Sequence, residues 1–260
     1  MPSVSDIYFF SHEAEESSAG QPPIILIHGA GGNHLSWPPQ IRRLPGQRIY
    51  ALDLPGHGKS SGVGRHSIDD YAEDLSTFMK LLKIRKAILV GISMGSGIAL
   101  AFAIKHPKNV SGLVLLGSGA KLRVASTILE SLGNPNSVRP AVEMINDSCF
   151  GKHVPERLKE LSKQTMIQMR PSALLGDFLA CNQFDVSGRL DEIKIRTLIV
   201  CGSEDRMTPM RFSEHLHASI AGSKLRVVES AGHMVMAEQP DIVADMLLEF
   251  INRPPNGIRH

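Results

Sequence analysis

An apolar segment that runs directly into a glycine-flanked serine constrains this chain more than any other feature of its sequence. Residues 91–95 read Gly-Ile-Ser-Met-Gly, between the apolar residues 87–90 and an alanine-rich helical stretch at 98–103. A serine on a sharp strand-to-helix turn presents its hydroxyl clear of the backbone, and glycine two residues away on either side tolerates the close contacts of that turn. The motif alone occurs often by chance. Here a strand-like segment precedes it and a helical segment follows it, which is the setting that a nucleophilic serine on such a turn requires. Ser93 is therefore a candidate nucleophile.

Apolar runs of strand length alternate with amphipathic helical stretches along most of the 260 residues, which indicates an α/β fold with a mostly parallel sheet and helices on both faces. The predicted strands are Ile24–Ile27, Arg48–Leu52, Ala87–Gly91, Gly112–Leu116, Thr197–Cys201 and Lys224–Val228, with a further edge strand near Tyr8. The predicted helices are Ile68–Leu82, Met94–Lys105, Met210–Ser219 and Pro240–Ile251. One large domain with an insertion fits this length.

The alternation of strands and helices stops between Lys121 and Arg189. This region is predicted to form short helices without a strand, broken at Gly133-Asn134-Pro135, Pro140, Pro155 and Pro171. It is too long for a connecting loop. We therefore predict that residues 121–189 form a helical cap over the carboxyl edge of the sheet, inserted into a core made of residues 1–120 and 190–260.

Composition and charge exclude several classes of function. The formal net charge is +2 with acidic and basic residues interspersed, so no basic stripe is available to bind nucleic acid. No segment is long and apolar enough for a membrane span or a signal peptide, and we expect a cytoplasmic protein without stable membrane association. The three cysteines, Cys149, Cys181 and Cys201, lack metal-like spacing and are expected to be free thiols.

A serine hydroxyl becomes a good nucleophile only when a base removes its proton, so a histidine and an orienting acid are required. Asp205 follows the predicted strand at 197–201, and His233 follows the predicted strand at 224–228. Both residues thus come after the carboxyl ends of sheet strands, where open α/β sheets place their ligand sites. Glu204 is an alternative acid, and its neighbour Asp205 is preferred by its position in the motif.

Five segments occur in this order along the chain: His28-Gly29-Ala30-Gly31-Gly32, Asp53-Leu54-Pro55-Gly56-His57-Gly58-Lys59-Ser60, Gly91-Ile92-Ser93-Met94-Gly95, Gly202-Ser203-Glu204-Asp205 and Ala231-Gly232-His233. In these five motifs the sequence resembles the capped, cofactor-free serine esterases and lipases of the α/β-hydrolase superfamily. The resemblance covers the chain outside the predicted cap. It implies that Ser93 is the nucleophile, that His233 is the general base and then the general acid, and that Asp205 orients His233. It implies no metal and no organic cofactor.

The resemblance also implies an oxyanion hole made by the backbone N–H groups of Ala30 and Met94. We expect five further residues to bind substrate: Gly29, Trp37, Met144, Phe178 and Met234. His28 and His57 are expected to brace loops by hydrogen bonds, Asp53 to anchor its loop, and His34 to lie at the surface.

The favoured function is hydrolysis of small-molecule carboxylic esters with short- to medium-chain acyl groups. Amides, thioesters and lactones stay open, because the nucleophile does not distinguish them. A carbon–carbon bond hydrolase is an alternative with the same triad, but similar proteins of that type carry tryptophan after the catalytic histidine, where this chain has Met234. A non-catalytic ligand receptor on the same scaffold is a third alternative, disfavoured because every candidate triad residue is present.

Overall fold

An eight-stranded sheet forms the centre of the fold. The structure is a computed structural model, and it describes residues 3–13 and 21–252. The strands are β1 (Ser3–Val4), β2 (Ile7–Glu13), β3 (Ile24–Ile27), β4 (Arg48–Asp53), β5 (Ala87–Ile92), β6 (Val110–Leu116), β7 (Thr197–Gly202) and β8 (Lys224–Val228). Their order across the sheet is β1-β2-β4-β3-β5-β6-β7-β8. Pairing is antiparallel from β1 through β2 to β4 and parallel from there on.

Helices cover both faces of this sheet. The α-helices of the described residues are α1 (Pro39–Arg42), α2 (Ile68–Leu81), α3 (Met94–Lys105), α4 (Ser126–Leu132), α5 (Val138–Cys149), α6 (Glu156–Ile167), α7 (Pro171–Gln183), α8 (Met210–Ser219), α9 (Val235–Glu238) and α10 (Pro240–Asn252). Helices α2, α3 and α8 pack on one face, and α1, α9 and α10 pack on the other. The predicted α/β class and mostly parallel sheet are confirmed.

The alternation of side chains along the central strands explains why both faces need a cover. In β3 every residue is buried, with Ile25 and Ile27 in the core under α2 and α3, and Ile24 and Leu26 in the core under α10. Successive side chains of a strand point to opposite faces, so a wholly apolar strand must be covered twice. Helix α3 is buried on nearly every side, which explains its small side chains.

Four helices, α4 to α7, lie between β6 and β7 and are called here the inserted helices. They share an apolar cluster of their own, which includes Ile145, Met166 and Phe178 and contacts Ala30 of the sheet-bearing part. The predicted short helices are therefore present, but Pro140 does not break one. It is the third residue of α5, where a first-turn N–H has no helical partner to lose.

None of the helices in the described ranges combines the length and apolar character needed to cross a membrane.

Candidate active site

Ser93 lies at a strained turn between β5 and α3. Its backbone angles, φ 54° and ψ −119°, fall in a region that residues other than glycine rarely adopt. The flanking glycines are required by contact: a Cβ on Gly91 would lie 2.2 Å from the carbonyl oxygen of Gly95, and one on Gly95 would lie 2.2 Å from that of Ile27. The spacing of the motif therefore reflects how closely strand, turn and helix approach one another.

Asp205 and His233 meet at the carboxyl edge of the same sheet, where the loops after β7 and β8 lie side by side. Nδ1 of His233 is 2.9 Å from Oδ2 of Asp205, and both side chains are buried. Because a carboxylate can only accept, the proton of this bond is on Nδ1, and Nε2 of the neutral ring is left as an acceptor. Burial alone would raise the pKa of Asp205. The charge of His233 and the hydrogen bonds from His233 and Thr208 together have the larger, opposite effect, so the pKa of Asp205 lies below its usual value.

Thr208 is a member of this site that the sequence analysis missed. Its hydroxyl donates to Oδ2 of Asp205 at 2.8 Å and lies 3.2 Å from Nδ1 of His233, while its backbone N–H donates to Oδ1 of Asp205. The rival acid Glu204 faces away and accepts from the backbone N–H of Lys152 at 2.7 Å. The sequence did offer one clue to Thr208, which is a hydroxyl side chain three residues after Asp205.

A cavity of about 420 Å³ opens above the carboxyl edge of the sheet, between this edge and the inserted helices. Ser93 and His233 both line it. Its walls are largely apolar and include Ile145, Phe150, Leu158, Met166, Phe178 and Met234. Within the described residues no hydrogen bond joins the Ser93 hydroxyl to His233, and catalytic hydrogen bonds of this kind often tighten only when substrate binds.

The two backbone amides predicted to bind an oxyanion belong to Ala30, which lines this cavity, and to Met94, which follows Ser93. Residues 29–32 form a turn closed by Gly32 N–H and Gly29 C=O at 3.1 Å. Ala30 lies within that turn, and Met94 is the first residue of α3. In the described part of the chain neither of these two N–H groups donates a hydrogen bond. Gly29 lies against Ser93, since a Cβ there would be 3.2 Å from Ser93 Cβ.

The expected substrate-binding residues divide into two groups. Gly29, Phe178 and Met234 line the cavity. The expectation for Trp37 is wrong: it is fully buried in the core beneath β3 and β4, on the side of α1 and α10, because its large apolar ring fills that core. The expectation for Met144 is wrong as well. It lies on the outer face of α5 and is 48% exposed, so it does not reach the cavity.

Three other polar side chains of the motifs, His28, His57 and Asp53, brace loops, as expected. His28 accepts from Leu54 N–H at 3.0 Å through Nε2, and its Nδ1 lies 2.8 Å from the Gly29 carbonyl oxygen. Asp53 accepts from the backbone and the imidazole of His34. The surface position expected for His34 is wrong, because this bond to Asp53 draws it into the interior.

Among the residues that the structure describes, no cluster of three or more His, Cys, Asp or Glu side chains is placed to hold a metal ion. Cys149 and Cys181 line the cavity as free thiols, and Cys201 is also free and buried. Burial raises the pKa of Cys149 to about 12, so its thiol stays protonated near neutral pH.

Comparison with known proteins identifies the family. Residues 24–246 match the Alpha/beta hydrolase family. A 2-hydroxy-6-oxononadienedioate/2-hydroxy-6-oxononatrienedioate hydrolase of Escherichia coli K12 is 33% identical over 90% of this chain and 88% of its own length.

Solved structures agree with that assignment. The esterase EaEST of Exiguobacterium antarcticum superposes with a TM-score of 0.86 and 25% identity, covering 95% of this chain and 96% of that one. A thermophilic esterase superposes with a TM-score of 0.80 and 29% identity, covering 94% and 97%. The sheet, the strained serine and the matched residues together show that this chain is a hydrolase that belongs to the alpha/beta hydrolase family.

Proposed function

We propose that this hydrolase cleaves carboxylic esters through a Ser93–His233–Asp205 triad and an acyl-enzyme intermediate. The observation that carries the proposal is the 2.9 Å contact between Asp205 and His233 beside a cavity that also holds the strained Ser93. The esterases among the similar structures support the choice of substrate class. No cofactor is required by this chemistry.

In the first half-reaction Ser93 Oγ attacks the carbonyl carbon of the ester, and its proton passes to Nε2 of His233. The carbonyl oxygen becomes an oxyanion that accepts from the N–H groups of Ala30 and Met94. Each such donor contributes about 3 to 4 kcal/mol to stabilising the transition state. When the tetrahedral intermediate collapses, the carbon–oxygen bond to the alcohol breaks and His233 gives its proton to the leaving oxygen.

In the second half-reaction a water molecule attacks the acyl group on Ser93, and His233 takes one of its protons. Collapse of the new tetrahedral intermediate returns a proton to Ser93 Oγ and releases the carboxylic acid, so that the enzyme is regenerated. Asp205 stays ionised throughout and stabilises the imidazolium that forms twice in each cycle. A pKa below the usual value of a carboxyl suits Asp205 to this role, because the carboxylate then stays charged near neutral pH.

The cavity supports a small apolar substrate with a short- to medium-length acyl chain. A volume of about 420 Å³ is in the range of ordinary small-molecule sites. Leu35 and Leu161 also line the cavity, and these two residues are 61% and 53% exposed. The entrance of the cavity is therefore apolar. Because each methylene in such a site changes discrimination by only about 1 to 3 kcal/mol, a graded chain-length preference is expected.

Cleavage of a carbon–carbon bond is the second candidate, and one observation favours it. Arg123 lines the cavity, and none of the described residues forms a hydrogen bond or ion pair with it. A substrate carboxylate would find its partner there, and the Escherichia coli relative is named for a dioate. Met234, in place of the tryptophan expected of such enzymes, argues against this candidate.

Turnover of p-nitrophenyl butyrate by the wild-type protein and by Ser93→Ala tests the proposal. We expect release of p-nitrophenolate by the wild type and its loss, to the uncatalysed rate, in the variant. A parallel assay follows the absorbance of a 2-hydroxy-6-oxo-dienoate, with and without a second carboxylate. Loss of that chromophore without activity on any ester would establish the second candidate instead, and no activity on either class would contradict both.

A further inference from the structure

Asp177, on α7 of the inserted helices, is fully buried and accepts three hydrogen bonds from outside those helices. Oδ2 accepts from the backbone N–H of Gly31 at 2.9 Å and from Nε2 of His57 at 2.7 Å. Oδ1 accepts from the Tyr71 hydroxyl at 2.7 Å. A carboxylate buried this deeply requires such partners. One of the three, Gly31, belongs to the turn that carries Ala30.

The negative charge of Asp177 is balanced by His57. Nδ1 of His57 lies 3.1 Å from the carbonyl oxygen of Pro55, and Nε2 faces the Asp177 carboxylate, so both ring nitrogens face acceptors. Burial lowers the pKa of His57, but the charge and hydrogen bond of Asp177 raise it more, and the net pKa is above the usual value. The 2.7 Å contact between His57 and Asp177 therefore joins α7 to the loop after β4 in the protein interior.

The bond from Gly31 to Asp177 holds the middle of the oxyanion turn. In the turn of residues 29–32, Gly31 is the third residue and has φ 71°, the value that a type II turn requires at this position. Its N–H belongs to the central peptide, the part of a turn that rotates when the turn changes type. An acceptor at 2.9 Å fixes that peptide, and with it the backbone next to Ala30.

Packing from the inserted helices acts on the same residue. A Cβ placed on Gly31 would lie 2.7 Å from Met166 of α6 and 3.1 Å from Leu174 of α7. Side chains of α6 and α7 thus pack against the turn at Gly31, and Asp177 of α7 accepts a hydrogen bond from the Gly31 amide. Of the turn amides, that of Gly31 is bound to Asp177 and that of Gly32 closes the turn, which leaves Ala30 N–H free.

We propose that Asp177 is a positioning residue for catalysis: through the Gly31 amide it sets the oxyanion turn so that Ala30 N–H faces the reacting carbonyl. This inference rests on the proposed function. It makes the inserted helices part of the catalytic machinery as well as a wall of the substrate cavity. A misplacement of about 1 Å in such a group costs about 100-fold in rate.

The test compares Asp177→Asn with Tyr71→Phe, which removes another donor to the same carboxylate and leaves the turn untouched. The first readout is the rate at which a fluorophosphonate labels Ser93, because that reaction needs the oxyanion hole and no natural substrate. The second is the separation of kcat from KM with p-nitrophenyl butyrate. We expect Asp177→Asn to slow labelling and lower kcat at least tenfold, with KM changed less than threefold.

The control variant Tyr71→Phe is expected to lose stability, measured by its melting temperature, while its labelling rate stays within threefold of the wild type. A folded Asp177→Asn protein that is labelled at the wild-type rate would overturn the inference and leave the proposed function standing. Equal slowing in both variants would also overturn it, since Asp177 would then act through stability alone. Should Asp177→Asn not fold, Asp177→Glu replaces it, with the same expected loss. A wild-type protein that is not labelled at Ser93 would remove the proposed function and the inference with it.

Discussion

The carboxylate of Asp205 is held mainly by its own loop. It accepts from the backbone N–H groups of Met207 and Thr208 and from the Thr208 hydroxyl, each at 2.8 Å, and its remaining contact is His233. These donors fix one rotamer of the acid before it meets the imidazole, and that rigidity is what precise orientation of a general base requires.

Replacing Asp205 by Asn is expected to lower kcat about 10⁴-fold, because the amide reverses the tautomer of His233 that the carboxylate holds. KM should change less than threefold, since Asp205 does not line the cavity. Steady-state kinetics with p-nitrophenyl butyrate measures both. The matched control is Glu204→Gln, whose side chain accepts from Lys152 N–H and should leave kcat unchanged. Equal losses in the two variants would refute the assignment of the acid.

His28 gives the stability of the protein a dependence on pH. Burial, and then the neighbouring His57, lower its pKa to about 4, so the folded protein keeps it neutral where the unfolded chain, with a pKa of 6.5, takes up a proton. The free energy of unfolding should therefore fall by about 3 kcal/mol from this group as the pH drops from 6.5 to 4.

Urea unfolding at several pH values measures that slope. The variant His28→Gln cannot protonate and keeps an acceptor for Leu54 N–H, so its free energy of unfolding should fall less over the same interval than that of the wild type. Parallel curves for the two proteins would contradict the role given to His28.

The position of a residue in the site could be predicted where a sequence motif specified it. It could not be predicted where tertiary packing determined the position of the side chain. Ser93, Asp205 and His233 each follow a strand at a recognisable distance, so chain order was enough to bring them together. Trp37 and His34 follow the oxyanion turn by a few residues only, and nothing in their sequence neighbours shows that one enters the core and the other meets Asp53. Thr208 was missed although its hydroxyl, three residues after Asp205, offered a clue in the sequence.

At the scale of elements, the backbone segments approach one another closely at the junction of β5 and α3. The strand is followed without a spacer by the strained Ser93 and then by the helix, and a Cβ on Gly95 would lie 2.2 Å from the carbonyl oxygen of Ile27 on β3. A side chain at this position would push the helix away from the sheet, and Ser93 would move with it.

Gly95→Ala is therefore expected to lower the free energy of unfolding by about 3 kcal/mol, measured by urea denaturation. Gly188→Ala is the control, because a Cβ at Gly188 meets nothing within 4 Å, and its effect should stay within about 0.5 kcal/mol. A Gly95→Ala protein as stable as the control would contradict the close approach described here.

Element boundaries were predictable to the extent that local chemistry marks them. The bounds of β3, β8, α3 and α8 agree with the predictions, because each is an apolar or amphipathic run with clear breakers at its ends. The short β1, α1 and α9 were missed, since two to four residues carry too little periodicity to be recognised. The contacts of the inserted helices with the turn at Gly31 depend on tertiary packing, which no local pattern encodes.

At the scale of the whole molecule, the inserted helices and the sheet-bearing part build the site together. The carbonyl oxygen of Cys149, the last residue of α5, accepts from the backbone N–H groups of His233 and Met234 at 2.9 and 3.1 Å. Oδ2 of Asp177, on α7, accepts from Gly31 N–H in the turn of residues 29–32. His233 and this turn are thus each joined to the inserted helices by a separate hydrogen bond.

This arrangement predicts that the inserted helices control acyl-chain preference. Phe178→Ala should raise kcat/KM for p-nitrophenyl decanoate relative to butyrate about tenfold, because the removed ring opens space in the cavity wall. Met144→Ala, on the exposed side of α5, should leave that ratio unchanged. A panel of p-nitrophenyl esters measures the ratio, and an unaltered ratio in Phe178→Ala would show that acyl chains bind elsewhere.

The central claim is that Ser93 is a nucleophile activated by His233. Peptide mapping by mass spectrometry after reaction with a fluorophosphonate tests it most directly, in the wild type, in Ser93→Ala and in His233→Ala. The account predicts one adduct, on the peptide that contains residue 93, absent from Ser93→Ala and formed at least 100-fold more slowly by His233→Ala. An adduct on another residue, or equal labelling of all three proteins, would contradict it.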